Sequence, residues 1–172
     1  EAVASFSSSA DITVNNGMLA MMTSSDNITW TGNFTPSTNT EDATNTLSLA
    51  SSYTDTAGNA GLGTTTANYE VDTTSPSVNS FSLSDTGLKA GDNATVTLVF
   101  SETVASFSSS ADITVNNGTL ATMSSSDNIT WSGTFTPSTN TEDASNTLSL
   151  ATSYTDTAGN AGPSAVTANY EV

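Results

Sequence analysis

The chain has 172 residues, a net charge of −16 and one basic side chain, Lys89, against eleven Asp and six Glu. Cysteine and histidine are both absent, which excludes thiol and imidazole nucleophiles, histidine general bases, Cys/His zinc sites and a disulfide frame. Binding to nucleic acid or an anionic membrane surface depends on basic side chains, so neither is an expected partner, and no run of about 18 apolar residues offers a membrane span.

Residues 1–71 are repeated as residues 102–172 without a gap, with 59 of the 71 pairs identical. A period of 101 residues exceeds the 20–50 of solenoid repeats and fits one small domain. The expected organisation is therefore a complete module, 72–172, preceded by a partial module, 1–71. Most differences between the copies are Ser/Thr exchanges or lie on turns, and the one block that changes is Leu62-Gly63-Thr64-Thr65 against Pro163-Ser164-Ala165-Val166.

In the complete module the elements run as follows. After the breaker Thr74-Ser75-Pro76, Val78–Leu83 reads as strand A. Ala94–Phe100 reads as strand B, with Val96, Leu98 and Phe100 on one face and Thr95 and Thr97 on the other, the period-2 pattern of a half-buried strand. Strand C is Ile113–Val115, ended by Asn116-Asn117-Gly118, a strong hairpin signal. Strand D is expected at 120–124 and a turn at Ser126-Asp127-Asn128. Strand E, 129–136, puts Ile129, Trp131 and Phe135 on one side. A loop, 137–145, leads to strand F at 147–151, the turn Asp156-Thr157-Ala158-Gly159-Asn160 follows, and strand G closes the module at 165–172. Ser and Thr make up 62 of 172 residues, which favours strands and turns over long helices. Seven strands with turns at near-regular spacing predict an all-β fold of tandem immunoglobulin-like sandwiches. The partial module carries no counterpart of strands A and B. Trp131, Phe100 and Phe135 are expected in the core, and Tyr53/Tyr154 and Tyr69/Tyr170 are the aromatic positions left for an exposed binding surface.

Placing the acids on this strand order gives the candidate site. If strands alternate in direction, Asp72, Glu102, Asp127 and Asp156 meet at the N-terminal pole of the module, and Asp85, Asp92, Glu142 and Asp143 at the other. In a tandem array the poles of successive modules face each other, so Glu41, Asp42 and Glu70 are expected opposite that N-terminal group. Crowded carboxylates without basic partners are unfavourable unless cations occupy the space between them. Oxygen donors without Cys or His select calcium, or less readily magnesium, over softer metals, and calcium accepts six to eight oxygens in flexible geometry. No EF-hand loop is present. Glu142-Asp143 are adjacent on a polar loop with no apolar pocket predicted nearby, so the acid–base chemistry of paired carboxylates is not expected, and the chain reads as non-catalytic.

Tyr69-Glu70-Val71-Asp72-Thr73-Thr74-Ser75-Pro76, Leu88-Lys89-Ala90-Gly91-Asp92, Val96-Thr97-Leu98-Val99-Phe100-Ser101-Glu102 and Thr155-Asp156-Thr157-Ala158-Gly159-Asn160 together resemble the bacterial immunoglobulin-like repeats of giant adhesins of the RTX, type I-secreted class. The extender modules of an ice-binding adhesin of a marine bacterium are among these repeats. The resemblance covers both modules. It implies an extracellular or cell-surface location, neighbouring repeats of the same chain as partners, and Ca2+ at the linkers stiffening the array. By position it implies Asp72, Glu102 and Asp156 as ligands, with Glu1 and Asp55 equivalent in the first module, whose own site lacks its leading residues. The expected function is a calcium-stabilised spacer. The alternatives are a subunit of a self-assembling extracellular filament completed by strands of a neighbouring chain, and a ligand-binding module using exposed tyrosines.

Overall fold

Short apolar/hydroxyl alternations, cut repeatedly by Asn, Gly and Pro, leave room only for brief strands. The computed structural model describes residues 1–172 and divides into two compact units, Glu1–Thr74 and Ser75–Val172. The first holds one helical turn, α1 (Ser8–Asp11), and strands β1 (Ile12–Val14), β2 (Gly17–Leu19), β3 (Phe34–Pro36), β4 (Glu41–Asn45), β5 (Leu47–Leu49), β6 (Thr64–Thr65) and β7 (Tyr69–Asp72). The second holds β8 (Val78–Leu83), β9 (Ala94–Phe100), the turn α2 (Ser109–Asp112), β10 (Ile113–Val115), β11 (Gly118–Leu120), β12 (Thr130–Pro137), β13 (Leu148–Leu150) and β14 (Ala165–Val166). The fold is all-β, as the sequence pattern predicts.

In the second unit two antiparallel sheets, ordered β10-β13-β14 and β11-β12-β9-β8, share one core. β9 supplies its centre: Ala94, Val96, Leu98 and Phe100 are at most 1% exposed, while Thr95 points to solvent and Thr97 is half-buried. Phe135, Leu148, Leu150, Tyr154 and Tyr170 close over them. Phe100 stacks on Phe107 and Tyr154, with ring centroids 5.6 and 4.9 Å apart. The first unit repeats β10-β13-β14 as β1-β5-β6, but in place of the four-stranded sheet it has only the pair β2-β3.

Several local expectations are corrected. Strand D occupies Gly118–Leu120, not 120–124, because Asn117 itself takes the left-handed conformation, with φ of 48°, and the chain pairs again at once. Asn is the non-glycine residue that tolerates this region best. Gly118 serves a different purpose: a Cβ there would lie 2.3 Å from the Phe135 ring. Strand G is only Ala165–Val166, followed by an isolated bridge from Tyr170 to Asn146. Residues 41–45, aligned with the predicted loop before strand F, pair as β4 with β7. The segment read as a B–C loop contains α2. There the Ser108 amide donates to Asp112 Oδ2 at 2.7 Å, the Ser153 hydroxyl donates to Oδ1, and Ser109 Oγ accepts the Met123 amide at 2.9 Å. α1 repeats this arrangement, and the Ser52 hydroxyl, then the Ser7 amide, hold Asp11 below the usual carboxylate range.

The tyrosines proposed as exposed are not. Tyr154 and Tyr170 are 0% exposed, and burial, with the charge of Asp112, pushes Tyr154 up to about 12. Their hydroxyls donate to the carbonyls of Pro163, at 2.9 Å, and Asn116, so each ring is buried with its one polar atom satisfied. Trp131 is half-buried, edge-on to Phe107 at 4.9 Å.

Candidate metal centre

Asp156 is built into position by its own turn. Gly159, with φ of 98°, lets the chain double back so that Asp156 Oδ1 accepts the amides of Gly159 at 2.7 Å and Asn160 at 2.9 Å. Oδ2 accepts the Asn160 side-chain amide at 2.7 Å. The residue is 1% exposed. Burial pushes its pKa up, but the Asn160 side chain and the amides of Asn160 and Gly159 outweigh it, so the carboxyl sits below its ordinary value. Donors to the charged form favour the carboxylate, and Asp156 is an anion at neutral pH. Its backbone bridges to Val104, and the neighbouring Ala105 amide bonds the Thr155 carbonyl at 2.9 Å. This pairing brings Glu102, two residues before Val104, alongside the turn.

Asp72 ends β7, and its Oδ1 accepts the Thr74 amide at 3.1 Å, an Asx turn that precedes the buried Pro76. Asp72, Glu102 and Asp156 each offer a carboxylate oxygen, and these oxygens lie within 4.8 Å of one another. Two bare anions 4 Å apart repel by about 4 kcal/mol at the effective dielectric of a protein surface, and Lys89 is the only basic side chain in the sequence. An all-oxygen, all-anionic donor set fits a hard divalent cation and not a soft one.

The other sequence-predicted residues stand apart from this group. Asp127 spends its Oδ1 on the amides of Ile129 and Thr130, at 2.9 and 2.8 Å, and on the Ser125 hydroxyl at 2.9 Å. The Thr130 amide foremost holds its pKa down, so it acts as a turn former. Asp42 accepts the Asn16 side chain at 2.7 Å and the Thr44 amide at 2.8 Å. Glu41 and Glu70 are exposed on β4 and β7. In the first unit Asp55 repeats the turn of Asp156, taking the Asn59 side chain at 2.7 Å and the amides of Asn59 and Ala57 at 2.8 Å. Its pKa is lowered chiefly by the Asn59 side chain, with a small share from a hydrogen bond to Glu1. Glu1 and Asp55 line one recess of about 240 Å3. They are the counterparts of Glu102 and Asp156.

Sequence reasoning did not single out Asn160, whose side chain and main chain together fix the Asp156 carboxylate. The signal was present in the Asp-Thr-Ala-Gly-Asn turn, since Asp and Asn four residues apart around a glycine are the residues a self-bonding turn needs.

Neither curated proteins nor solved structures provide a match to the chain. The family model of the bacterial Ig-like domain matches residues 1–71 and 72–172. Together with the two-sheet core of the second unit and the 101-residue period, this match means that the chain belongs to the bacterial Ig-like domain family, whose model it matches in two successive segments.

Proposed function

We propose that this chain is part of a calcium-stabilised spacer in a long bacterial surface adhesin, located outside the cell. The observation that carries the reading is the group Asp72, Glu102 and Asp156, with carboxylate oxygens within 4.8 Å of one another and Asp156 almost wholly buried. In this reading Ca2+ is held by these three carboxylates and supplies the positive charge that the sequence lacks. Asp72 lies at the start of the second copy, so the ion ties the linker strand to the Asp156 turn and removes freedom from the joint. A protein whose product is length is served by near-identical modules with stiffened joints, and 59 identities in 71 positions suit that use better than they suit two catalytic domains.

Thermal unfolding in calcium and in excess chelator tests this. With affinity of about 10⁻⁴ M, typical of extracellular modules, 10 mM Ca2+ adds about 2.7 kcal/mol, a rise in Tm on the order of 10 °C for a domain of this size. Asp156→Asn should abolish the rise, while Asp127→Asn keeps it. A melt that ignores calcium, or a rise that survives Asp156→Asn, removes the assignment.

A further inference from the structure

We propose that Met18 and Met21 form an oxidation site, two thioethers that each take one oxygen atom from hydrogen peroxide or an organic peroxide while the fold is kept. The inference uses neither the carboxylate group nor calcium. The chain has four methionines, and their surroundings divide them. Met18 is 69% exposed and Met21 80%, whereas Met123 is 4% exposed in the core and Met22 is half-buried.

Local structure causes the division. β2 pairs with β3 so that Met18 lies opposite Thr35 and Leu19 opposite Phe34, and successive side chains of a strand point to opposite faces. Leu19 is half-buried, which leaves Met18 on the outer face. Farther along, the Met22 amide donates to Ser8 Oγ at 2.9 Å, and a Cβ on Gly32 would lie 2.8 Å from Met22 Cγ, so this side chain is seated against bare backbone. Met123 repeats both features, with Ser109 Oγ at 2.9 Å and Gly133 at 2.8 Å. Met21, one residue earlier than Met22, is turned out to solvent. The exposed positions around this face carry hydroxyls: Thr35 opposite Met18, and the bridged pair Thr23 and Thr31 beyond Met21.

The second copy shows that the exposure belongs to these positions. Thr119 and Thr122 stand where Met18 and Met21 do, and both are exposed. The module therefore accepts a polar, hydrogen-bonding group at each place. A sulfoxide is such a group, and oxidation moves both side chains toward what the second copy already carries. The same change at Met123 would set a polar S=O in a closed apolar core, where it is costly. In the reaction a lone pair of the thioether sulfur attacks one peroxide oxygen. The S–O bond forms as the O–O bond breaks, sulfur is oxidised by two electrons, and the departing oxygen takes the proton and leaves as water or an alcohol. The chain has no cysteine to compete, and the polarizable thioether needs no acid or base from the protein.

Treating the unmodified chain with hydrogen peroxide and following each methionine by peptide mass spectrometry tests this. Met18 and Met21 should gain oxygen at rates close to that of free methionine and at least about tenfold faster than Met123. A chain carrying Met22→Leu, a volume-conserving exchange, reads the consequence. Once both exposed sulfurs are oxidised, its Tm should stay within about 2 °C of the untreated value, the range of a surface substitution. Met18→Thr with Met21→Thr should remove the fast oxygen uptake and leave the Tm in place. A reaction at Met123 as fast as at the exposed pair, slow reaction at Met18 or Met21, or a clear fall in Tm on their oxidation overturns the proposal. The rates come from the unmodified chain, so they decide even if Met22→Leu folds poorly.

Discussion

Residues 29–36 and 130–137 differ at two of eight positions, yet one forms a strand of three residues and the other a strand of eight. Trp30 and Trp131, Gly32 and Gly133, Phe34 and Phe135 are the same residues, and both copies keep the same bonds to their β2 or β11 side. What differs is the presence of β9. Strand length here belongs to the pair, which is why β-propensity measured at one site transfers poorly to another. Burial follows. Phe135, Leu148, Tyr154 and Tyr170 are 0% exposed, whereas their counterparts Phe34, Leu47, Tyr53 and Tyr69 are only half-buried.

The largest consequence concerns core truncation. Phe135→Ala removes a fully buried ring that touches Tyr170 at 5.1 Å between centroids, and should cost about 3–5 kcal/mol. Phe34→Ala removes the same ring from a half-buried position and should cost less, about 2–3 kcal/mol, because part of its surface is already wet. Urea unfolding of the two variants measures both. Equal losses would mean that the Phe34 ring is as well covered as that of Phe135, against their difference in burial.

A second pair should behave alike. Asn45 and Asn146 are each 1% exposed. Each accepts the side chain of Asn16 or Asn117 at 2.7 Å, and each donates to the carbonyl of Asp42 or Asp143, at 2.8 and 2.9 Å, and to that of Tyr69 or Tyr170 at 3.2 Å. This knot holds the strand before β5 or β13 against the chain's return, and in the second unit that return is also paired at Glu171 with Thr86 and Leu88 of the β8–β9 connection. Asn45→Ala and Asn146→Ala should each cost about 1–3 kcal/mol, the price of stranding buried partners, with the two losses within about 0.5 kcal/mol of each other. A clear gap in urea unfolding would show that the two units hold this knot to different degrees.

The sequence made the second unit's strands A, B and C legible at the residue, B most firmly because the period-2 apolar pattern over Ala94–Phe100 leaves one choice of face. It was less informative where polar side chains compete with the ladder. Asn117 took the bend and shifted strand D, and Asp112 with Ser108 and Ser153 folded a helical turn from residues that read as loop. Of the site, Asp72, Glu102 and Asp156 were reachable because alternating strands bring one pole together. Asp127 sits on another turn, where its Oδ1 is taken by amides of that turn, a local competition that strand order alone does not reveal. The tyrosines were misjudged because a buried hydroxyl needs only one carbonyl, and sequence does not show that Pro163 and Asn116 supply it.

The smallest expected effect concerns those same turns. Asp26 is held at about 2, first by the Thr29 and Ile28 amides and then by the Ser24 hydroxyl, and Asp127 is lowered by the same contacts in the second unit. Both folded values lie below that of an unfolded aspartate. The stabilisation from each charged turn is therefore complete above about pH 4, where the unfolded chain also ionises, and is lost as pH falls through the folded value toward 2. Asp26→Asn and Asp127→Asn should each lower Tm slightly at pH 6 in chelator, and the gap to the parent should narrow at pH 4 and again at pH 3. The two gaps should be close, since both carboxylates make the same bonds to their own turns. A gap that widens on acidification would mean that these carboxylates are destabilised by their acidic surroundings more than the amides stabilise them. A larger gap for Asp127 would tie its turn to the neighbouring carboxylate group after all.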